Sequence, residues 1–371
     1  MCAANQIGET FLAPPLSSLE IPEGFHFRHG QTIAPFTIGY QTLGTLNEDR
    51  SNAILVCHAL SASPHVAGKF AADDAKPGWW DGLVGYGKGI DLDRYFVVCV
   101  NLPGSCFGTT APSSPDPVRG VPFGSRYPWV TIEDAVESQR IVLDSLGIGK
   151  LHAIAGGSLG GMQVLMWCAV HPERVGSIIA MASGAAVPVQ GIAWHTIGRK
   201  LIESDPQFNG GDYYSRTEPL RGLELARMVG HMTYLSDDAL EKKFGRRRRV
   251  PTAQFEIDSY LEYQGGKFAK TFDANSYIRI QSAMDEMDLV EQYGTMENAF
   301  KGHHAPSLLI SFNTDWLFPT REVAKVQKAF ESLGVRSTHI DIETLNGHDA
   351  FLIDYHLITK PVREFLDSLA S

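Results

Sequence analysis

The stretch that decides the fold reads Ala155-Gly156-Gly157-Ser158-Leu159-Gly160-Gly161-Met162. It fits the pattern Gly-x-Ser-x-Gly with Ser158 at the centre, between an apolar run that predicts a strand and a segment that favours a helix. A nucleophilic serine needs a tight, strained turn, and small neighbours let the strand and helix approach closely. Gly156 and Gly160 provide that room. A glycine-rich strand-to-helix turn without catalysis is the alternative interpretation at this point.

Length and composition limit the class of protein. A chain of 371 residues suits two domains or one large α/β domain with an insertion. The net charge of −10 argues against nucleic acid or an anionic membrane as the main partner, and no apolar run approaches the ~18 residues of a membrane span. Five scattered cysteines indicate reduced thiols, and residues 1–6 lack a signal-peptide pattern. These features predict a cytoplasmic protein with a small-molecule substrate.

The remaining apolar runs predict a mostly parallel sheet flanked by helices. Short alternating stretches at residues 25–28 and 36–40 predict antiparallel edge strands, and Thr131 with Asp134 three positions later predicts a helix start. Helices are also predicted after Ser158 and near 323–333 and 354–368. Further strands are predicted at 53–57, 95–100, 151–155, 178–181, 307–312 and 338–342.

Residues 185–300 differ from the rest of the chain. Apolar residues recur there at helical spacing, and continuous strand-like runs disappear. We therefore predict an α/β core domain made of residues 1–184 and 301–371, interrupted by a helical lid domain at 185–300, called the helical insertion below.

A serine hydroxyl becomes a nucleophile beside a base, and that base needs an orienting acid. His348 follows the last predicted strand, where a loop histidine can reach over the sheet edge, and Asp315 follows the strand at 307–312. Serine, acid, histidine is the chain order of α/β hydrolases, which predicts a catalytic triad of Ser158, Asp315 and His348. The competing interpretations are a surface-loop histidine and a turn-forming or helix-capping aspartate.

The turn at Ser158 also predicts an oxyanion hole. It directs the backbone N–H of Leu159 into the pocket at a helix N-terminus, where negative charge is favoured. The second donor in this fold comes from the loop after an earlier strand, and here we expect the backbone N–H of Leu60. These residues predict an acyl-transferring serine enzyme but leave its acceptor open, since water would make it a hydrolase.

Several stretches together resemble the homoserine O-acyltransferase family, a group with the α/β-hydrolase fold. They follow the family's order between residues 40 and 355, so their coverage is far more specific than the serine motif alone. The matching stretches include His58-Ala59-Leu60-Ser61, Lys76-Pro77-Gly78-Trp79-Trp80, Leu225-Ala226-Arg227-Met228, Thr233-Tyr234 and Gly347-His348-Asp349-Ala350-Phe351-Leu352, with further matches at 65–68, 156–163, 259–265 and 272–277.

The resemblance implies ping-pong transfer, in which Ser158 takes an acyl group from acyl-CoA and the hydroxyl of L-homoserine collects it for methionine synthesis. Acetyl-CoA is the favoured donor because acetyl transfer is the more frequent activity in the family. A succinyl-CoA donor, a serine acceptor and a serine esterase are alternatives. A non-catalytic binding protein of the same fold is a further one, although such proteins usually lack a triad member.

The resemblance also places the amino-acid acceptor. It implies that Arg227 binds the α-carboxylate and Asp349 the ammonium group, which suits a guanidinium and a carboxylate. Without the family, Arg227 is an arginine on a solvated helix face and Asp349 a turn residue. The helical insertion would exclude water from the acyl-enzyme and form the contact of a homodimer.

The basic run Arg246-Arg247-Arg248-Arg249 stands out in an acidic chain. It would attract the phosphates of CoA in one interpretation and form a solvated loop of the insertion in the other. No glycine-rich phosphate loop, metal-ligand cluster or dinucleotide motif is visible in the sequence. We therefore expect no metal and no bound cofactor beyond the acyl-CoA cosubstrate.

Overall fold

The computed structural model describes residues 10–369, so the predictions made for residues 1–6, Cys2 among them, lie outside the described residues. Within residues 10–369, eight strands form one sheet: β1 Ser17–Ile21, β2 Phe36–Leu43, β3 Ala53–Cys57, β4 Phe96–Val100, β5 Ala153–Gly157, β6 Ile178–Met181, β7 Ser307–Phe312 and β8 Ser337–Ile342. Their order in the sheet is β1-β2-β4-β3-β5-β6-β7-β8. Strand β2 is antiparallel to its neighbours β1 and β4, and all other neighbours are parallel. The predicted mostly parallel sheet is confirmed.

Helices cover both faces of this sheet. Alternation along β3 shows the two layers, because Leu55 belongs to the buried cluster on one face and Ile54 and Val56 to the cluster on the other. The helices are α1 Ile132–Ser145, α2 Leu159–Val170, α3 Val189–Glu203, α4 Leu220–Tyr234, α5 Asp237–Phe244, α6 Glu256–Ala269, α7 Ala274–Glu286, α8 Leu289–Tyr293, α9 Met296–Phe300, α10 Thr320–Ser332, α11 Ala350–Ile353 and α12 Tyr355–Asp367. Single 3₁₀ turns lie at Gly124–Arg126, Pro172–Arg174, Asn209–Gly211 and Gly347–Asp349.

The start of α1 follows the predicted capping pattern. The Thr131 hydroxyl accepts a hydrogen bond from the backbone N–H of Asp134 at 3.1 Å, and the Asp134 carboxylate accepts one from the backbone N–H of Thr131 at 2.8 Å. This reciprocal arrangement satisfies two backbone donors that the helix itself leaves unpaired. The prediction of a helix start at this point is confirmed.

The first 50 residues differ from the prediction. Phe36–Leu43 is a sheet strand as expected, but its edge partner is Ser17–Ile21, a segment whose mostly exposed side chains give little apolar signal. Phe25–His26 lies outside the main sheet and pairs with Thr32–Ile33 in a small hairpin. The turn between them contains Gly30 with a φ of 87°, a conformation that glycine adopts without steric cost.

The helical insertion carries α3 to α9, and α4 packs between α3 and α6. Its last helix contacts the α/β core, since the ring of Phe300 lies 4.9 Å from that of Phe330 on α10. No helix within residues 10–369 has the length and apolar character needed to cross a membrane. Another short pair of strands, Val84–Gly85 and Ile90–Asp91, lies beside α12.

Candidate active site

Ser158 occupies the turn between β5 and α2. Its backbone has φ 58° and ψ −125°, a strained conformation for a residue with a side chain, and the residue is buried. The flanking glycines are required by close approach, as expected. A Cβ at Gly156 would lie 2.5 Å from the carbonyl carbon of Gly160, and one at Gly160 would clash with the carbonyl oxygen of Cys57. The sequence therefore allows a sharp turn with the serine at its tip.

The structure brings Ser158, His348 and Asp315 into one hydrogen-bonded row. His348 Nε2 lies 2.7 Å from Ser158 Oγ, and His348 Nδ1 lies 2.7 Å from Asp315 Oδ2. All three residues are buried. This is the geometry in which an imidazole can accept a proton from a serine hydroxyl while a carboxylate fixes its tautomer.

Asp315 is held by the turn that follows β7. Its Oδ1 accepts hydrogen bonds from the backbone N–H groups of Leu317 and Phe318, both at 2.9 Å. These two bonds leave Oδ2 facing the imidazole. The aspartate is thus a turn-forming residue, as its alternative interpretation held, and also the partner of His348.

Opposing effects act on the pKa of His348. Burial alone would lower this pKa, but the charge of Asp315 and the hydrogen bond to it, together with the charge of Asp349, raise it above its usual value. The carboxylates therefore stabilise the imidazolium that forms when the serine loses its proton.

The residues of both predicted oxyanion donors lie near Ser158. Leu159 is the first residue of α2, and Leu60 lines the same cavity as Ser158. The backbone N–H of Ser158 is engaged with the carbonyl oxygen of Met181 at 3.0 Å, whereas that of Leu60 has no hydrogen-bond partner within residues 10–369. Gln163 donates from its side chain to the carbonyl oxygen of His58 at 3.0 Å, which ties the Leu60 loop to α2.

Arg227 lies on α4 between two aromatic rings. Its Cζ is 5.1 Å from the ring centroid of Tyr234 and 4.6 Å from that of Phe268, and its Nη1 donates to the Tyr234 hydroxyl at 3.4 Å. Within the described chain, its buried Nε has no hydrogen-bond partner, and no carboxylate forms an ion pair with the guanidinium. The arginine is therefore positioned by stacking and keeps free donors.

Asp349 lies close enough to Arg227 for the two charges to interact, although no ion pair joins them. Burial raises the pKa of the Asp349 carboxyl, while the positive charges of His348 and Arg227 act in the opposite direction. The ring centroid of Tyr234 lies 5.1 Å from Arg227 Cζ and 6.3 Å from the centroid of the His348 ring. The structure thus brings an unpaired guanidinium and a carboxylate within electrostatic range of each other near the histidine.

A cavity of about 30 Å³ adjoins Ser158. Helices of the insertion form most of its wall, and the indole of Trp194 on α3 also contacts that of Trp316 beside Asp315, with 6.3 Å between the ring centroids. The lining residues are Leu60, Ser158, Trp194, His195, Ala226, Val229, Gly230, Thr233, Tyr234, Tyr277, Gln281, Met284 and Leu317. The insertion therefore encloses the serine.

The basic run at 246–249 lies in an exposed turn after α5. Arg247 pairs with Glu256 at 2.9 Å, and the guanidinium of Arg248 stacks over Phe255 at 3.9 Å. These contacts within the turn favour the solvated-loop interpretation over a role in holding phosphate.

No role was predicted from the sequence for Tyr234, Phe268, Gln163 or Trp194. One signal could have found Tyr234, because it lies seven residues after Arg227, and that spacing puts both on one face of a helix. Phe268 and Trp194 meet the site only through packing of the insertion, which leaves no local pattern in the sequence.

The fold and this site define the class of protein. A family model described as alpha/beta hydrolase fold matches residues 52–352, and the strand order with a serine between β5 and α2 agrees with it. The predicted fold class is confirmed.

The curated relatives define the family within that class. Homoserine O-acetyltransferase of Deferribacter desulfuricans is 45% identical over 353 residues, covering 94% of each chain. Homoserine O-succinyltransferase of Leptothrix cholodnii is also 45% identical, over 354 residues, covering 92% of this chain and 94% of its own. The chain belongs to the homoserine O-acyltransferase family, which confirms the resemblance.

Solved structures with this backbone include both transferases and esterases. The crystal structure of homoserine O-acetyltransferase from Bacillus anthracis matches with a TM-score of 0.89 and 30% identity, covering 95% of this chain and 97% of that one. Esterase E22 matches with a TM-score of 0.88 and 28% identity, covering 95% of this chain and 99% of its own. The backbone alone therefore does not select the acyl acceptor.

Proposed function

We propose that the protein transfers an acetyl group from acetyl-CoA to the hydroxyl of L-homoserine through an acyl-enzyme on Ser158. The observation that carries the proposal is the guanidinium of Arg227, unpaired and stacked beside the row of Ser158, His348 and Asp315. Hydrolysis of an ester needs no such group. An amino-acid acceptor does, because its α-carboxylate requires a cation in an enclosed site.

In the first half-reaction, Ser158 Oγ attacks the thioester carbonyl while His348 Nε2 takes the hydroxyl proton. The backbone N–H groups of Leu60 and Leu159 stabilise the negative charge on the carbonyl oxygen. When the carbon–sulfur bond breaks, His348 returns the proton to the departing CoA thiolate. Asp315 keeps the imidazole in the required tautomer throughout.

In the second half-reaction, the homoserine hydroxyl gives its proton to His348 and attacks the carbonyl of the acylated Ser158. Collapse of the intermediate breaks the bond to Oγ, which recovers the proton. Arg227 binds the α-carboxylate and Asp349 the ammonium group, so the acceptor enters in one orientation. The O-acylated amino acid then serves methionine synthesis.

Enclosure of the serine favours transfer over hydrolysis. An acyl-enzyme survives only if the acceptor reaches it before water does, and the insertion leaves a cavity of about 30 Å³ beside Ser158. A serine esterase is the second candidate function, since esterase E22 has nearly the same backbone. The free guanidinium of Arg227 argues against it.

The cavity also supports acetyl over succinyl as the acyl group. A succinyl group would bring a free carboxylate, whereas no lysine or arginine is among the described residues that line the cavity. Curated relatives named for either donor are equally similar, so identity does not decide.

Intact-mass spectrometry tests the acyl-enzyme. After the protein is mixed with acetyl-CoA, we expect its mass to increase by one acetyl group, and digestion should locate this group on the peptide that contains Ser158. The adduct should disappear when L-homoserine is added, with formation of O-acetylhomoserine. Ser158→Ala should form no adduct. Decay of the adduct at the same rate without homoserine would support the esterase instead.

We further propose that the protein is a cytoplasmic homodimer whose subunits meet through the insertion at 185–300, which acts as the lid of the α/β core. Exposure of Val189 and Ile197 on α3 supports this contact. Light scattering should give twice the mass of the chain, and Ile197→Glu should give the mass of one chain.

A further inference from the structure

A mostly buried ion cluster lies between two helices of the insertion. The carboxylate of Asp285 on α7 has partners from α3 on both of its oxygens. His195 Nδ1 lies 2.5 Å from Oδ1, and Arg199 Nη1 donates to Oδ2 at 2.6 Å. The three side chains are at most 18% exposed. They are called the Asp285 cluster below, and none of them has a part in the two half-reactions.

The cluster holds α3 where apolar packing is sparse. The buried residues of this helix are Gly191, His195, Gly198 and Ile202. Of these, only Ile202 has a large apolar side chain, so α3 buries little of the surface that usually fixes a helix in place. A carboxylate withdrawn from water needs its partners. The position of α3 relative to α7 therefore depends on the two contacts with Asp285.

Helix α3 forms part of the wall that encloses Ser158. Trp194, next to His195 on this helix, lines the cavity beside the serine. Its indole lies 6.3 Å from that of Trp316, the residue that follows Asp315. A displacement of α3 would therefore open the boundary between the insertion and the core beside the catalytic row.

Helix α7 lines the same cavity. Its contribution to the wall consists of Tyr277, Gln281 and Met284. Asp285 directly follows Met284, so the cluster joins two helices that enclose one cavity. The backbone joins them as well, because the N–H of Leu289 after α7 donates to the carbonyl oxygen of Ala185 before α3 at 3.1 Å. The cluster is thus the side-chain link in the enclosure of the serine.

We propose that the Asp285 cluster keeps the insertion closed over the acyl-enzyme, so that acetyl transfer prevails over hydrolysis. The inference rests on the proposed function and assigns positioning residues to it. Loss of a hydrogen bond to a charged group shifts a closed-to-open equilibrium roughly tenfold or more toward the open form. Water then gives a proton to His348 and attacks the carbonyl carbon of the acylated Ser158. The bond to Oγ breaks, Oγ recovers the proton, and acetic acid leaves.

The ratio of acetate to O-acetylhomoserine tests the proposal, measured with acetyl-CoA at one fixed concentration of L-homoserine. His195→Leu removes one partner of Asp285 and should raise this ratio roughly tenfold or more. His195→Asn is the rescue variant, because its side chain carries an N–H donor in place of Nδ1, and its ratio should stay near that of the wild type. Lys200→Leu is the matched control, since it removes an exposed ion pair with Glu203 from the same helix and should leave the ratio unchanged.

The outcomes separate the two proposals. An unchanged ratio in His195→Leu, or an equal rise in Lys200→Leu, would overturn the closing role of the cluster and leave acyl transfer standing. A wild-type protein that yields acetate alone would contradict the proposed function itself.

Formation of the acetyl adduct shows that a variant is folded. If His195→Leu forms no adduct, Arg199→Gln provides the test, because it removes one bond to Asp285 and keeps the other. Its ratio should rise in the same direction, and an unchanged ratio would again overturn the closing role.

Discussion

The indole Nε1 of Trp80 donates a hydrogen bond to the carbonyl oxygen of Phe351 over 2.9 Å. Both residues are fully buried, and Phe351 follows His348 by three positions. The bond joins the loop after β3 to the segment that carries the histidine. The position of His348 relative to Ser158 therefore depends on a residue far away in the sequence.

Trp80→Phe should weaken both the fold and the site. The substitution keeps most of the ring but leaves a buried carbonyl oxygen without its donor, which costs about 1–3 kcal/mol of unfolding free energy. We also expect kcat/KM to fall, because His348 loses a support. Urea unfolding and steady-state kinetics measure the two effects. Trp79→Phe is the control, because it removes a similar hydrogen bond, from Trp79 Nε1 to the carbonyl oxygen of Ser63, at a partly exposed position. Equal losses of stability and of kcat/KM in Trp79→Phe would contradict a specific role for the Trp80 bond.

Two substitutions at Ser158 should distinguish the backbone strain of the turn from the catalytic role of the hydroxyl. Ser158→Ala removes the nucleophile and should abolish acyl transfer, but it keeps a Cβ at a φ of 58°. Ser158→Gly should be equally inactive and more stable than Ser158→Ala by about 1–2 kcal/mol, because glycine tolerates this conformation. Thermal and urea unfolding provide the measurement. Equal stability of the two variants would show that the turn carries no strain.

The pH dependence should report the environment of His348. The imidazole must be neutral to take the serine proton. Because its pKa is raised above the ordinary value of 6.5, activity should begin to fall at a pH above 6.5 as the pH is lowered. Asp349→Asn removes a negative charge that favours the imidazolium, so the acid limb should move to lower pH. Hydrolysis of p-nitrophenyl acetate is the suitable assay, since it uses no amino-acid acceptor. Asp238→Asn is the control, because Asp238 is exposed on α5. If the acid limb of the pH profile does not shift in Asp349→Asn, the charge of Asp349 does not act on His348.

Arg227→Ala should act on the acceptor alone. Loss of a two-bond contact to the α-carboxylate should raise the KM for homoserine roughly 30-fold or more and leave the KM for acetyl-CoA almost unchanged. Arg227→Lys should recover part of the loss, because a single ammonium cannot form the forked contact. Arg221→Ala on the same helix, exposed and paired with Glu224, should be neutral. Equal changes in both KM values would mean that Arg227 does not hold the carboxylate.

The sequence predicted those parts of the fold that rest on local patterns. The turn at Ser158 has a short motif, and His348 and Asp315 each follow a strand of clear apolar character, so topology alone places them at one sheet edge although the histidine is 190 residues from the serine. The strand Ser17–Ile21 was missed because its side chains are mostly exposed.

Contacts between elements that are distant in the sequence could not be predicted from such local patterns. The stacking of Phe268 on Arg227 depends on how α6 packs against α4, and the contact of Trp194 with Trp316 depends on how the insertion sits over the core. Nothing in the spacing of these residues fixes either packing. The catalytic and acceptor-binding roles of the site residues are likewise predictions that the variants above will test.

Transfer to an amino-acid hydroxyl can be measured as CoA release by the purified protein. Acetyl-CoA and succinyl-CoA are each combined with L-homoserine, L-serine or no acceptor. We expect release to require an acceptor, to be fastest with acetyl-CoA and homoserine, and to be absent in Ser158→Ala. Release that is equally fast without any acceptor would refute transfer and make the protein a thioesterase.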